Sequence, residues 1–165
     1  MENTNRDYEI GKAGEHLVCA DLIMKGYKAF MVEHACHYDI ILEHEGKLLK
    51  IQVKATRGPK AKEEKEKTDS YLFHTMVMGK GSKKRYTKEQ IDIIAVVALD
   101  KNEIAYVPVE EGKYNMSFKI EKSDCIKAKG SRYFKDYPLE RCLNKFKTVN
   151  QLAKELKEME EKLIK

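Results

Sequence analysis

Residues 91–99, Ile-Asp-Ile-Ile-Ala-Val-Val-Ala-Leu, restrict the fold more than any other stretch of this sequence. A nearly unbroken apolar run of that length, rich in β-branched side chains, suits a strand buried on both faces. Such a strand needs partners beside it and cover above and below, so a layered α/β fold around a central sheet is expected.

The rest of the chain supplies both. Residues 8–25 read as a helix, stopped by Gly26 just past its last turn. Ile10, Ala13, Gly14, Leu17, Ala20 and Met24 form its broad apolar stripe. Glu15 lies to one side, near Gly11, Val18, Cys19 and Leu22 in helical spacing. Strands are expected at 27–32, 37–43, 47–56 and 71–77, and at 103–109, which pairs with 91–99 through Asp100-Lys101-Asn102. Glu45-Gly46 makes a tight hairpin between the second and third strands. Along 47–56, Leu49, Ile51, Val53 and Ala55 point one way while Lys50, Gln52 and Lys54 point the other.

Residues 58–69 (GPKAKEEKEKTD) hold too little apolar surface to bury and read as a loop, as do the basic residues 79–88. The last helix, 148–165, opens with Thr148 and Gln151 at capping-box spacing. Val149, Leu152, Leu156, Met159 and Leu163 then form a seam of about two heptads, too short to argue a coiled coil. Packing back on the domain is the expected use of that seam, with a dimer contact as the alternative.

At 165 residues the chain can bury a core as one domain without staples. No stretch approaches the roughly 20 apolar residues of a membrane span. The polar N-terminus lacks a secretory apolar run, so a cytoplasmic protein with no membrane partner is expected. Cys19, Cys36, Cys125 and Cys142 are scattered, which fits reduced, packed thiols better than zinc ligands or a disulfide framework.

The net charge of +5 is unevenly spread: residues 112–147 carry ten Lys/Arg against four Asp/Glu, so all the excess sits there. Tyr114, Phe118, Tyr133, Phe134, Tyr137 and Phe146 are interleaved with these cations. Cations for phosphates and rings for bases would suit a nucleic-acid surface. The simpler alternative is a solvated face over a small aromatic core.

One constellation carries chemistry. Cutting a phosphodiester requires an activated water and neutralisation of charge on the phosphate and the leaving oxygen. A magnesium ion meets both needs with one or two carboxylates, amide or carbonyl oxygens and its own waters, helped by a lysine. Asp39 stands near the start of one hairpin strand. Gln52 and Lys54 share a face of its partner, about 6.6 Å apart along the strand. Asp39 and the Gln52 side-chain oxygen can share a cation, the Val53 carbonyl is a further ligand, and Lys54 stands one step on. Glu15 reaches them if the first helix packs across the sheet. His37, two residues from Asp39, is a candidate substrate contact, and Lys84 with Arg85 suit phosphate.

Three segments, Gly11-Lys12-Ala13-Gly14-Glu15, Tyr38-Asp39-Ile40-Ile41-Leu42 and Ile51-Gln52-Val53-Lys54-Ala55-Thr56, resemble the PD-(D/E)XK nuclease superfamily. Within it, the chain is similar to the branch of intron-encoded homing endonucleases and archaeal Holliday junction resolvases, over roughly residues 8–111. The resemblance implies a restriction-endonuclease-like mixed central sheet flanked by helices; residues 1–147 are expected to form the nuclease-like domain, followed by the C-terminal helix 148–165. It maps Asp39 to the metal-binding aspartate, Lys54 to the catalytic lysine and Glu15 to the helix glutamate. Gln52 replaces the second acidic residue, as in the homing-endonuclease branch, and Tyr38 replaces the proline.

The expected activity is a Mg²⁺-dependent DNA endonuclease, with Mn²⁺ able to substitute. Glu15, Asp39, Gln52 and Lys54 are its catalytic residues; Glu15, Asp39, Gln52 and Val53 are its metal ligands. Arg57, Lys83, Lys84, Arg85, Lys127, Lys129 and Arg132 are its candidate DNA contacts. A homodimer or higher homo-oligomer is expected, because two antiparallel strands present two cuts related by a twofold axis. The alternatives are a nucleic-acid-binding module of the same fold that no longer cuts, and a small partner protein that associates through its C-terminal seam.

Overall fold

The computed structural model describes residues 2–33, 36–59, 70–79, 82–120, 132–147 and 159–160, with backbone alone at 2–5, 78–79 and 82–83. Helix α1 (Glu2–Met24) leads into strands β1 (Lys28–Met31), β2 (Ile40–His44) and β3 (Lys47–Thr56). Next come β4 (Ser70–His74), β5 (Val77–Gly79), β6 (Ser82–Lys84), β7 (Ile93–Ala98) and β8 (Glu103–Pro108). Strands β9 (Asn115–Lys119) and β10 (Arg132–Tyr133) and the short helix α2 (Leu139–Leu143) follow, with single 3-10 turns at Val109–Glu111, Phe134–Asp136 and Asn144–Phe146.

The five-stranded central sheet runs β1-β2-β3-β7-β8 and is mixed, since only β3 and β7 are parallel. All six residues of β7 are buried, as the apolar run requires. One face carries Val18 and Leu22 of α1, Leu139 and Leu143 of α2, and Ile40, Ile51 and Val53 of the sheet. The other face packs Ile94, Val96 and Val107 against Tyr71, Phe73, Met116 and Phe118 of a second sheet, ordered β10-β9-β4. Each fully buried aliphatic side chain contributes about 1.5–3 kcal/mol, so both layers are needed to hold β7 in place.

The β2–β3 turn forms as expected. Glu45 (φ 51°) and Gly46 (φ 74°) both take the left-handed conformation that a two-residue hairpin of matching twist demands. This sets the register Ile40↔Ile51 and with it the alignment of Asp39 against Gln52.

Four expectations are corrected. First, α1 buries Gly14, Val18, Cys19 and Leu22, while Ala13, Ala20 and Met24 are exposed. Apolar residues lie all round this helix, so period alone does not choose a face; close packing does. A Cβ on Gly14 would lie 2.4 Å from Ala55 Cβ, so only glycine lets the helix approach β3 this closely. Glu15 therefore belongs to the sheet-facing side rather than to the margin. Second, the expected strand 71–77 stops at His74, where Thr75 turns its hydroxyl to the Lys113 carbonyl, and resumes as β5. Third, the expected loop 79–88 contains β6, which pairs with β5 in a separate ribbon. Fourth, Phe118, Tyr133 and Phe134 are buried, Phe118 and Phe134 within the second core, where the Phe73 ring meets both edge-to-face. Those rings are core, and no base can stack on them.

The expected C-terminal helix, 148–165, and its seam lie outside the described residues except for Met159 and Glu160, which are helical. The loop residues 60–69 also lie outside them. The described cysteines Cys19, Cys36 and Cys142 are free thiols, and Cys19 and Cys142 are buried. Among the described residues, no helix is long and apolar enough to cross a membrane.

Candidate active site

Asp39 remains part of the backbone ladder. Its N–H donates to the Ile51 carbonyl (2.9 Å), and its own carbonyl accepts from Val32 N–H (2.8 Å). With both backbone groups fixed, the side chain is aimed at β3. Asp39 Oδ2 accepts from the Val53 N–H at 2.7 Å and from Gln52 Nε2. Gln52, only 8% exposed, also donates from Nε2 to the Val53 carbonyl at 3.2 Å and accepts from the Tyr86 hydroxyl at 3.1 Å. Period-two alternation puts Lys54 on the same face as Gln52, and its Nζ stands 5.7 Å from the centroid of the Tyr86 ring. Among the described residues, Lys54 makes no ion pair.

Glu15 comes in from α1, where it accepts from Lys12 Nζ at 2.7 Å. Its charge acts on both Asp39 and Lys54. Asp39, Gln52 and Lys54 are thus brought together with Tyr86, while Glu15, paired with Lys12, lies near enough for its charge to act on Asp39 and Lys54.

Burial pushes the Asp39 carboxyl above the ordinary range, and Glu15 adds to the rise; the Val53 amide, Lys54 and Lys12 oppose it. Burial pushes the Lys54 ammonium below its ordinary value, and Asp39 and Glu15 oppose that shift. Burial and the nearby Asp39 push the Tyr86 phenol up to about 12, so it stays protonated and can donate.

Asp39 also borders an open cleft of about 380 Å³ lined by Tyr8, Lys12, Val32, Glu33, Cys36 and Tyr38. The site is therefore reachable from solvent.

Of the candidate DNA contacts, Arg57, Lys84 and Arg85 are exposed, and the Arg85 guanidinium lies 4.9 Å from the centroid of Tyr114. The Lys83 side chain, Lys127 and Lys129 lie outside what is described. Arg132 is occupied within the fold, donating to the Glu111 carbonyl at 3.4 Å with its guanidinium 5.9 Å from the Phe118 ring centroid. Arg141 and Lys145, also in the basic segment, are both bound to Glu111. His37 is exposed beside Asp39.

Sequence reasoning missed Tyr86 and Lys12. Tyr86 is 34 residues from Gln52 and follows a basic run, where nothing marks a side chain that folds back on β3. Lys12 carries a usable signal, since it stands three residues before Glu15 on a helix.

A sheet covered on both faces, with a carboxylate and an ammonium held on neighbouring strands at its centre, has the architecture of a restriction-endonuclease-like protein. The profile of the PD-(D/E)XK endonuclease family matches residues 5–140, and the chain belongs to that family. Among solved structures it is similar to a bacterial homing endonuclease, I-Ssp6803I, with a TM-score of 0.53 and 17% sequence identity over 70% of this chain and 77% of that one. This likeness shows the shared fold. No curated protein matches the chain.

Proposed function

We propose that the protein is a Mg²⁺-dependent DNA endonuclease, with Asp39, Gln52, Lys54 and Glu15 as its catalytic residues. The observation that carries this reading is the convergence of Asp39, Gln52 and Lys54 at one point of the β2–β3 pair, within reach of the charge on Glu15. Membership of an endonuclease family supports it, as does likeness to a homing endonuclease, whose name implies a DNA substrate.

The donor set fits a hard cation. Asp39 Oδ2 and the Val53 carbonyl both take bonds from the one Gln52 Nε2, so two oxygens already converge on a single centre. Asp39, Val53 and Gln52 through its own oxygen would hold Mg²⁺, Glu15 would supply the second negative charge, and Mn²⁺ would serve as well. Among the described residues, no three His, Cys, Asp or Glu side chains are grouped so that they could hold a metal ion, so a cation here would depend on Asp39, on amide and carbonyl oxygens and on its own waters. When bound, the ion supplies an acidified water and neutralises charge on the phosphate.

The remaining steps belong to the chain. Lys54, whose ammonium burial makes a stronger acid than an exposed lysine, would orient the attacking water and set its positive charge against the charge developing on the phosphate. The Tyr86 ring, its centroid 5.7 Å from Lys54 Nζ, gives that ammonium an aromatic face to rest against. Lys12 holds Glu15 in its rotamer. Arg57, Lys84 and Arg85 are exposed cations for phosphates flanking the cut. A homodimer would present two such sites to the two strands of a duplex.

Supercoiled plasmid incubated with the full chain and Mg²⁺ tests this reading. Nicking by the wild type, with at least a hundredfold loss in Asp39→Ala and Lys54→Ala, is the expected outcome, in line with the roughly 10²–10⁴-fold effect of one proton-transfer group. Intact plasmid, or variants as active as the wild type, refutes it. Binding with a steep salt dependence but without cutting marks the non-cutting module instead.

A further inference from the structure

Gln52 presents the wrong end of its amide for a cation ligand, and the neighbouring atoms dictate this. Asp39 Oδ2 and the Val53 carbonyl can only accept, and Nε2 donates to both. Turned the other way, the amide would set its oxygen against two oxygens. The Gln52 oxygen instead accepts from the Tyr86 hydroxyl at 3.1 Å. The two N–H groups of Gln52 thus lie where a cation between Asp39 and Val53 would bring its positive charge. Burying a carboxylate is costly unless its bonds are made; the Val53 N–H supplies one to Asp39 and the Gln52 amide a second.

We propose that the Gln52 amide is a built-in stand-in for the cation, and that Tyr86 is the positioning residue that allows it to turn. A half-turn about the last side-chain bond delivers the Gln52 oxygen to the incoming ion. The nitrogen then meets Tyr86, whose hydroxyl accepts as readily as it donates. One phenol thereby satisfies the buried amide in both states, and its ring stays against Lys54 throughout. A glutamate at position 52 would lack this device, since two carboxylates and a carbonyl would then face one another with no ion between them. The proposal rests on the reading of Asp39, Gln52 and Val53 as the metal site.

The full chain is stripped with EDTA and titrated with Mg²⁺ while the side-chain amide protons of Gln52 are followed by NMR. These signals are assigned by their loss in Gln52→Glu. In EDTA the pair is expected to exchange slowly with solvent, and on titration it shifts with the same midpoint as the Tyr86 ring signals. Tyr86→Phe is expected to remove the slow exchange without changing circular dichroism.

Gln52→Glu in EDTA melts below the wild type, gains more from Mg²⁺ and binds it about tenfold more tightly, the effect of an added ligand charge. Asp39→Asn/Gln52→Glu, which again pairs one amide with one carboxylate, recovers the melting temperature in EDTA. A merely bulky or strained side chain would not be rescued by exchanging the charges. The proposal is overturned by Gln52→Glu melting at or above the wild type in EDTA, by no recovery in the double variant, or by Mg²⁺ binding that leaves the amide pair unmoved. DNA cleavage enters none of these readouts. An inactive protein whose amide turns refutes the nuclease, and an active protein whose amide stays put refutes the turn.

Discussion

Asp39 and Lys54 have opposite charges, and burial shifts both toward their neutral forms. For Asp39 the sign has a direct consequence. Only the ionised carboxylate holds a cation, so Mg²⁺ affinity falls as pH drops through the raised Asp39 value, above the ordinary range of about 3.9. Glu15 contributes to that rise, so Glu15→Gln should move the affinity midpoint to lower pH even while it weakens binding at neutral pH. Calorimetric titration at several pH values measures both, and a midpoint that stays or rises in Glu15→Gln contradicts the charge arrangement. Asp39, Gln52 and Lys54 are legible in the sequence because strand alternation and a two-residue turn are local rules. Tyr86 is illegible because its placement depends on a meeting of distant parts of the chain.

At the scale of elements, α1 shows where sequence periodicity runs out. Its apolar residues encircle the helix, and the buried face is chosen by Gly14 against Ala55. Two glycines on this helix therefore respond oppositely to one substitution. Around Gly11 no atom lies within 4 Å of an added Cβ, so Gly11→Ala should gain about 0.8–1 kcal/mol from helix propensity. At Gly14 the same gain is outweighed by overpacking of about 1–3 kcal/mol, because the methyl group would lie 2.4 Å from Ala55 Cβ. Gly14→Ala should thus destabilise in urea titration and, by lifting α1 from β3, weaken Mg²⁺ binding through Glu15. Restoration by Ala55→Gly identifies the close approach as the cause; equal effects at the two glycines would contradict it. The hairpin and the doubly buried β7 are, by contrast, legible in the sequence, since left-handed turn residues and unbroken apolar runs have few other uses.

Across the whole molecule, charge and aromatic content have separated. The basic segment 112–147 reads as a nucleic-acid surface in one dimension, yet its rings Phe118 and Phe134 belong to the second core and Tyr133 is buried as well. Several of its cations are held by Glu111, whose carboxyl lies below the ordinary range: burial raises it, but bonds from Lys145 and Arg141 outweigh that. The exposed cations that suit phosphate among the described residues include Arg57, Lys84 and Arg85. Measured DNA affinity should therefore fall linearly with log salt. Charge-removing substitutions at these three positions should flatten the slope by about 0.9 for each phosphate no longer neutralised, and Arg141→Gln should leave it unchanged. An unchanged slope in all variants would move the DNA surface elsewhere.

The central claim is that a divalent ion binds between the side chain of Asp39 and the Gln52-Val53 segment. Fe²⁺ substituted for Mg²⁺ and supplied with ascorbate and peroxide releases hydroxyl radicals where it is bound, and these cut the nearby polypeptide. Chain scission is predicted close to residues 39 and 52–53, suppressed by excess Mg²⁺ and absent in Asp39→Ala. Scission confined to other segments, or unaffected by Asp39→Ala, would contradict it.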